Sequence, residues 1–168
     1  LMLSSMITGS ILTHYETAFA ALPLLVSFVP MLTGTGGNAG SQSSTTVIRA
    51  MTIGDVEPKD ILKIVWKEIR VSVLCGVCLA IACFAKIIVV DMLLLKSESV
   101  TYLVAFVVCA TMAVTVCLAK IVGSTLPLLA KKLGFDPAVM ASPIITTIVD
   151  FLSLLVYFAF ATAMLGIG

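Results

Sequence analysis

The chain has 168 residues, of which 60% are hydrophobic and only 11% are charged, and its mean hydropathy is +1.19. Soluble domains carry about 25% charged residues, so this composition excludes an ordinary water-soluble domain. The net charge of +1 and the sequence pI of about 7.8 give no electrostatic reason to expect a nucleic-acid partner. The sequence therefore predicts an all-α integral membrane protein embedded in a lipid bilayer.

Five apolar segments follow one another along the chain, at about residues 1–13, 17–50, 71–95, 100–123 and 138–165. A run of about 20 apolar residues can cross a hydrocarbon layer about 30 Å thick. The first segment lacks the basic region and cleavage site of a signal peptide, so we expect a helix that starts upstream in a longer protein. Residues 1–168 are thus predicted to form a single transmembrane domain with five helices.

The second segment is too long for a single perpendicular crossing of the membrane. It contains two prolines and a cluster of four glycines: Pro23, Pro30, Gly34, Gly36, Gly37 and Gly40. This composition predicts a helix that bends, tilts or unwinds locally. An irregular helix inside a membrane needs protein or water around it.

Positive charge is concentrated in the two links that share one side of this five-segment arrangement. These links contain Arg49, Lys59, Lys63, Lys67, Arg70, Lys131 and Lys132. The links on the opposite side contain only His14, Glu16, Lys96 and Glu98. The positive-inside rule places the basic links in the cytoplasm. We therefore expect a multi-pass protein of the plasma membrane with its amino end in the cytoplasm and its carboxyl end outside.

The link between segments two and three allows two interpretations. Pro58 and Asp60 precede an apolar stretch with interspersed basic residues, which is typical of a short amphipathic helix at the membrane interface. In that arrangement the basic side chains point toward lipid headgroups. The same residues could instead extend the helix of segment three.

Asp150 is the one acidic residue predicted to lie deep inside an apolar segment. A central aspartate costs about 2.5 to 3.5 kcal/mol on insertion scales, and such residues usually face a path for ions or protons. The alternative is an ion pair that only holds helices together, with Lys120 or Lys86 as the partner. Lys120 is predicted near the cytoplasmic end and Lys86 can snorkel outward, so a role in cation passage is favoured.

Polar residues share a helix face with Asp150. Ser142, Thr146, Asp150, Ser153 and Tyr157 recur at intervals of four or three residues. This spacing predicts a hydrated stripe along segment five. Thr146 could add a hydroxyl or carbonyl oxygen to the site, and Pro143 could free a backbone carbonyl near the cytoplasmic mouth.

Segment two has a matching polar face. Residues spaced four apart form two adjacent rows, Gly34, Asn38, Gln42 and Thr46, and Gly37, Ser41 and Thr45. Small residues at this spacing also allow close helix packing, so packing alone is a second interpretation of the glycines and serines. Two amides one turn apart need a hydrogen-bonding neighbour, water or an ion shell, which favours a hydrated surface.

The predicted site contains carboxylate, amide, hydroxyl and carbonyl oxygens, which are ligands for a hard cation. One carboxylate per chain is too few for a tight calcium cage, whereas magnesium keeps several waters and contacts one or two carboxylates. A homodimer with the path on its two-fold axis would bring two copies of Asp150 together. Magnesium is therefore the favoured ion.

The five cysteines are not expected to bind metal or form disulfides. Cys75 and Cys78 make a C-x-x-C, but no second pair or nearby histidine completes a zinc site. No arrangement of nucleophile and base, and no phosphate loop, predicts an enzyme.

Two blocks of sequence resemble the membrane domain of the MgtE family of magnesium channels. The first is a proline followed by G-G-N-x-x-x-Q and then R-A-x-x-x-G-D, here Pro30, Gly36, Gly37, Asn38, Gln42, Arg49, Ala50, Gly54 and Asp55. The second runs from Leu126 through L-P-L-L-A-K-K-L-G-F-D-P-A into S-P-x-x-T-T-x-x-D, which ends with Ser142, Pro143, Thr146, Thr147 and Asp150.

The resemblance implies a homodimer with five membrane helices per subunit and a pore in which Asp150 attracts largely hydrated Mg²⁺, assisted by the backbone of Thr146. The pore lining is expected to include Asn38, Gln42, Gly34, Gly37, Ser41, Ser142 and Thr147. Family members usually carry cytoplasmic regulatory domains upstream, which these 168 residues do not contain.

The predicted function is that of a magnesium-selective channel that conducts hydrated or partly hydrated Mg²⁺ into the cytoplasm. Mg²⁺ is then both the transported ion and the ligand of the site. The alternative is an exchanger coupled to Na⁺ or H⁺, because Asp150 could be protonated and a bent, glycine-rich helix could rock.

Overall fold

The computed structural model describes residues 2, 6, 9–11, 13, 23–97, 100–140 and 143–166, and every regular element within them is helical. Four α-helices account for most of these residues: α1, Leu24–Thr52; α2, Ile61–Lys86; α3, Tyr102–Lys132; and α4, Pro143–Leu165. Helix α2 continues as a π-helix, Ile87–Leu94. Short 3-10 helices, Pro58–Asp60 and Pro137–Met140, precede α2 and α4.

Three stretches of the described chain are long and apolar enough to cross a membrane, judged by length and composition: Pro58–Leu94, Tyr102–Lys132 and Pro143–Leu165. They correspond to predicted segments three, four and five, and they support an α-helical membrane protein. Helix α1 has 29 residues and is about 43 Å long, but its many Gly, Ser and Thr residues make it less apolar. Most of segment one, residues 17–22, His14, Glu16 and Glu98 lie outside the described residues. The count of five membrane helices stays a prediction.

Two segment boundaries predicted from sequence were wrong. The helix of segment three begins at Ile61, ten residues before the predicted start, so the link extends this helix. The helix of segment four continues through Pro127 to Lys132. Charged residues precede the predicted start of segment three, whereas residues 124–130 after segment four are uncharged and continue its helix.

Helix α1 is α-helical from Leu24 to Thr52, including Pro30 and the glycine cluster. The predicted local unwinding is therefore wrong for this stretch. The glycines act by allowing close contact. A Cβ on Gly123 of α3 would overlap the backbone of Gly40, and a Cβ on Gly40 would lie 2.9 Å from Ile145 Cγ2 of α4.

Helices α1 and α3 end in the same way at one end of the bundle. Gly54 and Gly134 have φ angles of 85° and 83°, a conformation that glycine adopts without a steric penalty. The next amide after each glycine donates back into the helix, from Asp55 to Ala50 at 3.0 Å and from Phe135 to Ala130 at 2.9 Å. Both helices thus close with a Schellman motif. This end also carries Arg49, Lys63, Lys67, Arg70, Lys131 and Lys132, and we refer to it as the basic end.

Helix α3 is the central helix of the described bundle. It packs against α1, α2 and α4, while α1 also packs against α4. The core between α1, α3 and α4 contains fully buried side chains, among them Phe28, Leu32, Val108, Val116, Ile145 and Tyr157. Helix α2 packs mainly on α3, so much of its surface faces outward. This arrangement brings the polar faces of α1 and α4 together.

Candidate functional site

The candidate site lies where Gly37 of α1 faces α4. A Cβ built on Gly37 would lie 3.2 Å from Thr146 Cγ2 and 3.9 Å from Asp150 Oδ1. Asp150 and Thr146 therefore occupy one side of α4, one helical turn apart, and both are partly exposed. Asp150 is seven residues into α4, about 10 Å from its start. The missing side chain at Gly37 leaves the carboxylate close to the backbone of α1.

The outward side of α1 forms an open polar groove of about 560 Å³, lined by Asn38, Ser41, Gln42, Thr45 and Thr46. Asn38 and Gln42 are exposed. The hydroxyls of Thr45 and Thr46 donate to the carbonyls of Ser41 and Gln42, each at 2.9 Å. Ser41 Oγ is buried, and no hydrogen-bond partner is described for it. The groove therefore presents amide and hydroxyl oxygens on α1, and it begins at Asn38, the residue after Gly37, which faces Asp150.

Other residues predicted at the site differ in their placement. Gly34 is exposed one turn before Asn38, and a Cβ there would meet nothing within 4 Å. Thr147 donates its hydroxyl to the carbonyl of Pro143 at 2.8 Å, and Thr146 donates to the same carbonyl at 3.1 Å. The Pro143 carbonyl is thus occupied by two hydroxyls. Ser142 lies outside the described residues.

The far half of the predicted stripe on α4 is dry. Ser153 is 1% exposed and donates to the Val149 carbonyl, and its oxygen would lie 3.1 Å from a Cβ on Gly36. Tyr157 is fully buried and donates to the carbonyl of Leu25 at 3.0 Å. The prediction of a hydrated stripe is wrong for these two residues. Tyr157 bonds α4 to α1, whereas Ser153 bonds within α4 and packs against Gly36 of α1.

A buried charged cluster that the sequence did not predict lies inside the bundle, in the half toward the basic end. Glu68 of α2 accepts a hydrogen bond from Ser43 Oγ at 2.7 Å, and Lys120 Nζ of α3 lies 3.7 Å from Glu68 Oε2 and 3.3 Å from Ser43 Oγ. Glu68 and Lys120 are only 7% and 8% exposed. The prediction that Asp150 is the one deeply buried acid is therefore wrong, because Glu68 is buried more deeply. Glu68 was assigned to a link because the start of α2 was placed too late.

The two lysines considered as partners of Asp150 lie beside other carboxylates. Lys120 is in the Ser43–Glu68–Lys120 cluster. Lys86 Nζ is 2.8 Å from Asp91 Oδ2 and 5.3 Å from the centre of the Phe28 ring. Among the described residues, the ion pairs of these two lysines are thus with Glu68 and Asp91.

Within the described part of the chain, no group of three or more His, Cys, Asp or Glu side chains could form an all-protein metal cage. The five cysteines are free thiols on α2 and α3. The oxygen groups near Gly37 thus provide one carboxylate per chain together with hydroxyls and amides. Such a set suits a hydrated hard cation, which contacts the protein partly through its own waters.

The long apolar helices of the described bundle, with a polar groove on α1, are those of an α-helical membrane protein. The family model for MgtE, described as a divalent cation transporter, matches residues 29–160. The chain belongs to the MgtE family, and the resemblance found in the sequence is confirmed.

Three relatives are each named as a magnesium transporter MgtE. The chain is 34% identical to that of Bacillus subtilis over 98% of its length, and 35% identical to that of Thermus thermophilus over 98%. It is 32% identical to that of Enterococcus faecalis over 96%. The chain spans about a third of the length of these relatives, between 34% and 35%.

Proposed function

We propose that this chain is the membrane-embedded part of a magnesium channel, which lets Mg²⁺ flow into the cytoplasm down its electrochemical gradient. The observation that carries the proposal is the position of Asp150 Oδ1 beside Gly37, next to the oxygen-lined groove of α1. Membership of a divalent cation transporter family supports it. So do the three relatives, which are named for magnesium transport.

Each residue of the site has a physical role in this proposal. Asp150 attracts the cation, and Thr146 adds oxygen one turn away. Asn38, Gln42 and Ser41 hydrogen-bond the waters that the ion retains, since Mg²⁺ gives up its water shell reluctantly. Gly37 leaves room for the hydrated ion beside Asp150, and Gly34 lines a wider part of the pore, where an added Cβ would meet nothing within 4 Å. Ser142 and Thr147 belong to the mouth of the pore.

The pore is proposed to lie between two copies of the chain. Asn38, Gln42, Thr45 and Thr46 are exposed on the outside of the described bundle, although they lie on a helix packed among apolar spans. Polar groups facing lipid would lose their hydrogen bonds with water, so this surface needs a covering that keeps it hydrated. A two-fold axis beside α1 would provide it, with five helices per subunit. The basic end faces the cytoplasm, as the positive-inside rule requires.

The role of Asp150 is tested by Mg²⁺ uptake in cells that lack their own magnesium transport. Asp150→Asn keeps the size of the side chain and removes the charge, and we expect uptake to fall at least about tenfold at equal expression. Tenfold corresponds to about 1.4 kcal/mol of lost attraction for the ion. Asp55→Asn is the matched control, because it removes the same charge from an exposed turn. Normal uptake by Asp150→Asn would refute the assignment.

Single-channel recording separates a channel from an exchanger. Purified protein in a planar bilayer with Mg²⁺ as the permeant cation should give unitary currents that persist without a Na⁺ or H⁺ gradient. Flux that vanishes when either gradient is removed would contradict the channel and support coupled exchange.

Crosslinking tests the position of the dimer axis. In a background with the five native cysteines replaced by alanine, Gln42→Cys should crosslink to its copy with a short bifunctional maleimide. Leu74→Cys, on the exposed surface of α2, should not. Crosslinking through position 74 without crosslinking through position 42 would place the interface elsewhere.

A further inference from the structure

We propose that the outer face of α2, together with α3, binds one acyl chain of an anionic phospholipid whose headgroup rests on Lys63, Lys67 and Arg70. The inference is independent of the proposed magnesium pore. It concerns two features of α2, a row of exposed cations and an apolar groove that continues from it.

The cations form a stripe on one face of α2. Lys63, Lys67 and Arg70 are spaced four and three residues apart, which places them on the same side of the helix, and all three are exposed. The ion pairs between described residues involve Lys59, Lys86 and Lys120 and leave these three out. Glu68, the acid on the same helix turn, is turned inward to Ser43 and Lys120. The stripe is therefore a concentration of positive charge.

The apolar groove begins one turn beyond Arg70 on the same face. A first depression of about 250 Å³ lies between α2 and α3, lined by Val73, Gly76, Val77, Ala113, Val114, Cys117 and Leu118. A second of about 350 Å³ follows it, lined by Val77, Ala80, Ile81, Phe84, Phe106, Cys109, Ala110 and Ala113. Val77 and Ala113 line both, so the two depressions are continuous. The close contact of Gly76 with the Ala113 backbone forms the floor.

The dimensions of the groove match one leaflet of a bilayer. Ten residues of α2, from Arg70 to Ala80, rise about 15 Å, and Phe84 lies about 21 Å from Arg70. Half of a hydrocarbon layer about 30 Å thick is about 15 Å. Trp66 is 61% exposed one turn before Arg70, where an aromatic ring marks the membrane interface. A lipid with its phosphate at Arg70 would therefore place its acyl chain along the groove.

Charge selects the class of lipid. A zwitterionic headgroup offers the stripe no net charge, whereas an anionic headgroup is attracted by each lysine or arginine near it. The surface lies on α2, which packs mainly on α3, away from the polar groove of α1 that is proposed to face the second copy. The occupant we propose is thus a phospholipid such as phosphatidylglycerol.

Native mass spectrometry of the purified protein tests this assignment. The protein is taken from vesicles that contain equal amounts of phosphatidylglycerol and phosphatidylcholine with identical acyl chains, and the lipids retained per chain are counted. We expect phosphatidylglycerol to be retained preferentially. Lys67→Gln/Arg70→Gln should reduce that preference about 10- to 30-fold. Lys131→Gln/Lys132→Gln, which removes the same charge from the end of α3, should leave it unchanged.

A second variant tests the groove itself. Val77→Trp fills the point shared by the two depressions and should reduce retention of both lipids, whereas Leu74→Trp, on the exposed surface beside the groove, should not. If Val77→Trp does not give folded protein by circular dichroism, Val77→Phe replaces it. Unchanged lipid preference in Lys67→Gln/Arg70→Gln would overturn the proposal. A change in the oligomer mass of Val77→Trp without loss of lipid would also overturn it, because a second copy of the protein would then be what covers the groove.

Discussion

Glu68 and Asp150 are two of the acids in the described helices, and their surroundings differ. Glu68 is almost fully buried, and its carboxylate contacts Ser43 of α1 and Lys120 of α3. Asp150 is partly exposed and faces Gly37, a residue with no side chain, next to an oxygen-lined groove. The first carboxylate joins three helices, and the second lies where a cation could reach it.

The difference teaches that an acid within a membrane helix has no single meaning. Lys120 is 18 residues after Tyr102 and 12 residues, about 18 Å, before Lys132, which places the Ser43–Glu68–Lys120 cluster inside the bundle, in the half toward the basic end. A buried ion pair there stabilises the fold when both partners are present and destabilises it when one is lost. We therefore expect stability to depend mainly on this cluster, and transport mainly on the groove. Four substitutions test that division, in order of their expected effect on stability.

The largest effect is expected for Lys120→Met. Removing the cation leaves Glu68 buried without its charge partner, which should lower the free energy of unfolding by about 3 to 5 kcal/mol. Thermal unfolding in detergent measures the change. Glu68→Met/Lys120→Met should recover most of the loss, because both charges are then absent. Lys86→Met is the matched control. Lys86 is half-exposed beside Asp91, so its loss should lower the free energy of unfolding by less than about 1 kcal/mol. A Lys120→Met protein as stable as the parent would contradict this role of the cluster.

Ser43→Ala should have the second-largest effect. It removes the hydrogen bond to the Glu68 carboxylate, and hydrogen bonds to charged groups contribute about 1.5 to 3 kcal/mol. The same thermal measurement applies, with Thr46→Ala as the control because its hydroxyl only donates to the backbone one turn earlier. We expect Mg²⁺ uptake per folded molecule to stay near that of the parent. A specific loss of uptake without loss of stability would move Ser43 into the transport pathway.

Gly37→Val is expected to have the third-largest effect on stability. Its side chain would press on Thr146 and lie beside Asp150, and such overpacking costs about 1 to 3 kcal/mol, partly offset by better helix propensity. Uptake should fall more than stability does, because the new methyl groups cover the carboxylate. Gly34→Val, where a side chain meets nothing within 4 Å, is the matched control. Equal uptake in both variants would argue that the region around Gly37 is not on the ion path.

Asp150→Asn should have the smallest effect on stability, under about 1 kcal/mol, because the group is partly exposed and keeps its size. In the proposed channel it nevertheless has the largest effect on Mg²⁺ uptake. Measuring thermal unfolding on the sample used for transport tests this directly. A fall in stability as large as that of Lys120→Met would place Asp150 with the structural ion pairs.

Much of the fold could be predicted because hydrophobic runs and helix periodicity are local properties. The intervals of three and four around Asp150 and Thr146 placed them on one face of α4, and the row containing Gly37 identified the side of α1 that meets them. The charged cluster could not be predicted in this way. Ser43 is 25 residues from Glu68 and 77 residues from Lys120. Nothing in the local sequence indicates that three helices bring these residues together.

The same limit explains the error on the far half of α4. Ser153 and Tyr157 share the spacing of Asp150, so sequence alone predicted water beside them. Their hydroxyls instead donate to the carbonyls of Val149 and Leu25. A polar side chain on a helix face can contact water or a neighbouring backbone, and only the packing partner decides which.

The backbone contact between Gly40 and Gly123 restricts how the bundle can move. The backbones of α1 and α3 are in contact there, so a shift along either helix would bring the larger neighbouring residues into the contact, and the Ser43–Glu68–Lys120 cluster attaches α2 to the same pair. The three helices are therefore mechanically one lever. A force applied to the turn at residues 53–60 would tilt the three helices together and move α1 relative to the second copy of the chain. Gating of the proposed pore by such a force would need no internal rearrangement of α1.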